Sequence, residues 1–281
     1  MAQKSSSSLG DSLKSTFAAI VIPLEIVIAF LIYFYVLGDP ANFENGDPSG
    51  HPISEGWRSW LGVIYKGRVV VAVLIALLLI VLTFGIERLI TISSATGRGS
   101  VKGFVAKIRA LLSTNNINQA IVECDKQRGS VANVVKAGLL KYNELSKATG
   151  IEPERKVLLV QKDIEETTQL EMPMLERNLV IIATIASVAT LMGLLGTVTG
   201  MIAAFRAIAT SGAPDAVALS NGISEALINT ALGIGTSALA IIFYNFFTSK
   251  IDTLTYGIDE ASYSIIQNFS ASQGVKAPSS H

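Results

Sequence analysis

The chain has 281 residues, half of them hydrophobic and 16% charged, with 22 basic residues against 22 acidic ones. A soluble chain of this size carries roughly a quarter charged residues, and zero net charge leaves no basic field for nucleic acid. A soluble enzyme and a nucleic-acid binder are therefore excluded. One cysteine, Cys124, forms no intrachain disulfide and is expected as a buried, reduced thiol. The two histidines, His51 and His281, lie far apart, so neither a metal site nor a cofactor is expected.

Crossing a bilayer as a helix takes about 20 mostly apolar residues. After an N-terminal segment, 1–16, the run 17–37 qualifies, broken only by Glu25 beside Pro23. Lys4 and Lys14 precede it as in a secretory signal, but the stretch is long and Tyr33-Phe34-Tyr35-Val36-Leu37 offers no small-residue cleavage site, so it is expected as a retained span. The connection 38–68 follows. In it Ser54 is placed to cap a short helix whose Trp57, Trp60, Leu61, Ile64 and Tyr65 share one face. That face suits a helix lying in the membrane–water interface; a packed aqueous loop is the alternative.

The second span is 69–92. Segment 93–178 predicts helices over 101–112 and 117–126, separated by the turn Ser113-Thr114-Asn115-Asn116. A third helix over 131–148 is closed by Gly150, and a charged helix from Glu152 runs on with a kink at Pro173. The third span is 179–206, the turn 207–216 and the fourth span 217–249. Segment 250–281 is a helix ending in a Ser/Gly/Pro-rich tail, disordered from Ser270. The expected fold is an all-α integral membrane protein of four transmembrane helices. A helical domain lies between the second and third, and the long third and fourth helices line the central pore of a homo-oligomer. Segment 93–178 holds most of the basic residues and 207–216 none, which puts that domain and both termini on the cytoplasmic side. Arg58, Lys66 and Arg68 soften the contrast in the first outer connection.

No hydrolase constellation, phosphate loop or ligand cluster is present in the sequence. Gly193, Gly196 and Gly200, with Gly222, Gly233 and Gly235, are small residues that let helices approach closely, here expected between subunits. Thr190 and Thr197 share a face two turns apart. Glu225, Asn229 and Thr236 fall at i, i+4 and i+11, and Thr230, Ser237 and Tyr244 repeat by sevens. Such a polar seam is unfavourable against lipid and is expected to face a pore, a partner or another helix; self-bonding to the i−4 carbonyl is the bland alternative. Glu225 is the acid near the outer end, and the middle of the third span holds no titratable group. Ion flow along this seam therefore calls for a carboxylate supplied by a partner chain.

The run Leu194-Leu195-Gly196-Thr197-Val198-Thr199-Gly200-Met201-Ile202, with Gly222-Ile223-Ser224-Glu225-Ala226-Leu227-Ile228-Asn229-Thr230-Ala231-Leu232-Gly233, resembles the MotA/TolQ/ExbB proton-channel family on its ExbB side. Ile86-Glu87-Arg88-Leu89 and the stretch from Ala120 to Leu139 resemble it too. The resemblance implies a homopentamer around a dimer of an ExbD-like single-span protein that carries a membrane aspartate. It further implies a TonB-like protein that passes the work of the ion gradient to outer-membrane transport. By position, Thr197 and Thr230 match pore hydroxyls and Glu225 the outer acid. ExbB-like chains have three spans, so 17–37 is an addition; prolines common in the family are replaced here by Thr190 and Leu239. Extra hydroxyls at Thr199, Thr236 and Ser237 suit sodium as well as a proton relay. A TolQ-like envelope motor, a MotA-like flagellar stator, and a conventional transporter or membrane scaffold are the alternatives.

Overall fold

The computed structural model describes residues 9–210 and 216–275. Within them the chain forms α1 (Leu9–Leu31), α2 (Trp57–Tyr65), α3 (Arg68–Thr96), α4 (Val101–Ser113), α5 (Ile117–Gln127), α6 (Ser130–Lys147), α7 (Pro153–Glu176), α8 (Leu179–Thr210) and α9 (Ala216–Ser272), with no strand. Four helices are long and apolar enough to cross a membrane: Phe17–Leu37 and stretches of α3, α8 and α9. The protein is an all-α membrane protein. Its contacts divide it into two compact units. One takes residues up to Ile86 with Val180–Tyr244; the other takes Glu87–Leu179 with residues from Asn245 on.

In the first unit α1 and the turn that continues it bury one line, Glu25, Ala29, Tyr33 and Leu37, while Ile26, Val27, Ile28 and Leu31 of α1 stay exposed. Steps of four drift around an α-helix that advances about 100° per residue. A π-helical turn over Ile32–Leu37 winds more loosely and keeps Tyr33 and Leu37 on the packing face. They cluster with Val71 and Ala72 of α3 under Leu61, Ile64 and Tyr65 of α2. The Tyr33 and Tyr65 rings stack at 4.8 Å. Buried Asn42 ties the connection down by donating to Val36 O and Leu37 O at 2.7 and 3.0 Å.

The second unit is a helical domain with a water-type core. α4 buries Val101, Phe104, Val105, Ile108 and Leu112, and α9 buries Leu254, Ile258, Ala261 and Ile265 at alternating steps of four and three. Tyr142 Oη donates to Asn268 Oδ1 at 3.0 Å, and Asn268 Nδ2 to Leu112 O at 2.9 Å. Arg88 is buried; its guanidinium pairs with Glu87 and donates to Met174 O and Leu175 O at 3.3 and 3.2 Å. It thereby satisfies carbonyls that the end of α7 leaves without helical partners. Burial pushes the Cys124 thiol up to about 12, so the thiol is inert at neutral pH.

Several expectations are corrected. The apolar stretch Phe17–Leu37 belongs to a helix that already begins at Leu9. The N-cap of α2 is Gly56, without a side-chain bond, and not Ser54. The face of α2 splits: Trp57 and Trp60 are exposed while Leu61, Ile64 and Tyr65 pack inward. Ala148, not Gly150, caps α6. Pro173 lies inside α7, and the break before the third span falls at Arg177–Asn178, where Asn178 is left-handed (φ 65°). α9 continues to Ser272, past the Ser270 boundary of the expected disordered tail. Residues 1–8, 276–281 and the centre of the 207–216 turn (211–215) lie outside the described residues.

Candidate functional site

Lipid is as apolar as leucine, so membrane helices gain little from burying apolar area against each other and depend on close packing. Spans α8 and α9 achieve it through glycine. A Cβ on Gly193 would meet Asn229 O at 3.0 Å and Gly233 Cα at 3.1 Å. One on Gly233 would meet Ala189 O at 2.6 Å, and one on Gly200 would meet Gly222 O at 2.7 Å. The partners named here are in the same chain. Gly235 differs, with nothing within 4 Å.

This approach brings two sequence-distant hydroxyls together. Thr197 Oγ1 and Thr230 Oγ1 are in hydrogen-bond contact, both half-buried. Thr197 Oγ1 donates to Gly193 O at 3.2 Å, while Thr230 Oγ1 reaches Ala226 O at 3.0 Å and Gly193 O at 3.5 Å. Thr190 sits one face-repeat away, half-buried, and donates to Ala186 O at 3.5 Å. Thr199 is exposed and bonds Gly196 O at 3.0 Å.

The rest of the seam turns inward. Asn229 is fully buried and donates to Gly67 O at 3.2 Å, leaving its Oδ1 without a partner. Ser237 is buried and donates to Ala186 O at 2.5 Å; Thr236 is buried as well. Within the single chain these three side chains lie in the interior of the unit.

Glu225 is buried and pairs with Arg68 Nε at 3.1 Å. Arg68 opens α3 from the left-handed region (φ 56°), a conformation that costs a non-glycine residue about 1 kcal/mol. A cleft of about 400 Å³ opens beside the pair, lined by Tyr33, Tyr65, Lys66 and Asn221. Lys66 Nζ donates to Ser49 O at 3.0 Å, and burial holds its ammonium below the usual lysine range. Glu25 is buried away from all of this, with one carboxyl oxygen unpartnered and a hydrogen bond to Thr83. Arg68 and Gly67 escape sequence reasoning because nothing local marks a left-handed arginine; its place directly before an apolar run is the one available signal.

Residues 127–260, which include the α8–α9 pair, match the model of the MotA/TolQ/ExbB proton channel family. The match is to this stretch of the chain, just under half of its length. It is similar to the Tol-Pal system protein TolQ of Pseudomonas aeruginosa, 32% identical over 44% of this chain and 54% of that one. The Tol-Pal system protein TolQ of Haemophilus influenzae is 33% identical over 44% of this chain and 56% of its own length. The biopolymer transport protein ExbB of Neisseria gonorrhoeae is 27% identical over 58% and 76%. The chain thus spans about half the length of the TolQ proteins it matches. The hydroxyl pair lies inside the matched region, whereas Arg68 and the whole of α1 lie before it.

Proposed function

We propose that the chain is the ring-forming subunit of an ion-driven motor in the bacterial inner membrane, of the ExbB type. In this reading five copies surround a dimer of an ExbD-like single-span protein whose membrane carboxylate passes the Thr197–Thr230 pair. The motion is handed to a TonB-like protein that energises outer-membrane transport. Both termini and the second unit face the cytoplasm. The observation that carries the reading is the contact between the two hydroxyls, made by adjacent spans whose apolar stretches, 179–206 and 217–249, hold Glu225 as their sole acid among the described residues. Hydroxyls bond a passing carboxyl but hold no charge themselves, so the arrangement fits a carboxylate brought by a partner.

Thr197→Val and Thr230→Val remove the hydroxyls at nearly constant volume. Each is expected to abolish energised uptake of an iron complex while native mass spectrometry still finds the ring with two partner copies. Full uptake at normal expression would overturn the assignment. The likeness to two TolQ proteins favours a second reading, a motor serving envelope constriction. Deletion that causes detergent sensitivity and chained cells with intact uptake selects that reading, and loss of motility alone selects a flagellar stator.

A further inference from the structure

The second unit holds a cleft of about 440 Å³ that the motor reading does not use. It lies between the end of α3, the turn into α4, and α9. Counted from Arg68 at 1.5 Å per residue, α3 has crossed about 30 Å, the thickness of the hydrocarbon layer, by Leu89. Leu89 and Ile92 therefore line the cleft at the depth of the lipid headgroups. Its lining is divided. Leu89 and Phe246 are apolar and about half-exposed; Lys102 and Lys250 are exposed cations on the polar side. No acidic residue lines it, and neither lysine has a carboxylate partner among the described residues. Lys250 Nζ instead rests 5.7 Å from the centre of the Phe246 ring. The Ser100 hydroxyl accepts from Gly103 N at 3.5 Å and keeps its own proton to donate.

We infer that this cleft binds the headgroup of an anionic phospholipid, with the phosphate between Lys102 and Lys250, Ser100 donating to it, and the acyl chains leaving past Leu89 and Phe246. Two uncompensated cations at headgroup depth favour a phosphodiester anion, and basic pockets between membrane helices are where such lipids settle. The apolar lip distinguishes a lipid from a soluble phosphate, which has no use for it. The inference is independent of which motor the chain serves.

The test is native mass spectrometry of the delipidated full chain, titrated with dioleoyl phosphatidylglycerol, dioleoyl phosphatidylcholine, and glycerol 3-phosphate. Phosphatidylglycerol is expected to bind at least about tenfold tighter than phosphatidylcholine and to resist millimolar glycerol 3-phosphate. A lysine at a membrane surface is worth about fivefold in affinity. Lys102→Gln with Lys250→Gln should therefore weaken phosphatidylglycerol binding about 25-fold, while Lys136→Gln with Lys162→Gln leaves it unchanged. Should the double variant misfold, each single substitution is expected to cost about fivefold, and the Lys→Arg pair to bind as the wild type. Equal binding of the two lipids, wild-type binding by the Gln pair, or displacement by glycerol 3-phosphate would each overturn the proposal. The last would leave a site for a free phosphate; a cleft that takes neither lipid because a second copy of the chain fills it would show as an oligomer without adducts.

Discussion

Replacing Gly196 by alanine tests the α8–α9 interface directly. The added Cβ would stand 2.6 Å from Asn229 Cγ and 2.7 Å from its Nδ2, where carbon–carbon contacts are ordinarily about 3.5–4.0 Å. Something must move by about 1 Å. Asn229 cannot simply rotate away, because it is fully buried and its Nδ2 is committed to Gly67 O. Overpacking costs about 1–3 kcal/mol, and a buried amide stripped of its bond about 1–3 kcal/mol more. Alanine's better helix propensity returns about 1 kcal/mol. The net loss centres on about 3 kcal/mol, a fall in Tm of roughly 6–12 °C for a chain of this size. Gly235→Ala is the matched control: nothing lies within 4 Å, so only the propensity gain of about 1 kcal/mol remains. Far-UV circular dichroism melts of both variants in detergent supply the comparison. If Gly196→Ala melts with the wild type, or the two variants shift together, the glycine-dependent spacing of α8 and α9 is wrong.

Two further outcomes follow from the charges. Glu123, held by Lys107 at 2.6 Å and Lys126 at 2.7 Å, has its carboxyl drawn down to about 2. Its folded value lies below its unfolded one, so its stabilisation is present above about pH 4.5 and is lost as pH falls toward 2. Acid melts of wild type and Glu123→Gln should converge across that window; parallel curves would sink the assignment. Arg68 and Glu225 should show a coupling of about 1 kcal/mol in a double-mutant cycle with glutamine at each, small because Arg68 is mostly exposed. Strict additivity would mean that the pair does not persist in solution.

The spans were legible because an apolar run of membrane length has few other uses, and the helices of the second unit because their buried residues recur at 3.6. Helix ends were less legible. Ser270–Ser272 look like tail by composition, yet Phe269 is buried against Tyr142 and carries the last turn of α9 with it. Pro173 carries a strong local signal, but a proline substituent can be tolerated within a helix, and the stop came from Asn178, a residue type that enters the left-handed region readily. The π turn at Ile32–Leu37 has no sequence mark. It follows from Tyr33 and Leu37 having to meet α3 and Tyr65, which is a tertiary demand. In the site, spacing placed Thr197 and Thr230 on polar faces but could not show that those faces meet.

That distinction decides what the seam can do. Periodicity groups Asn229, Thr236 and Ser237 with Thr197 and Thr230, since all recur on neighbouring faces of α8 and α9. Packing separates them. Asn229 fixes the start of α3 through Gly67 O and Ser237 fixes α9 to Ala186 O, so their polarity is spent on holding helices together where lipid offers no other bond. Thr197 and Thr230 have two hydroxyl protons to share among Gly193 O, Ala226 O and each other. Whichever way those protons turn, a lone pair is left over, and the direct contact leaves no space for a cation between the two oxygens. The pair can accept from a passing acid and return the bond, but it cannot store the charge. In the proposed motor that charge is therefore assigned to the partner's carboxylate.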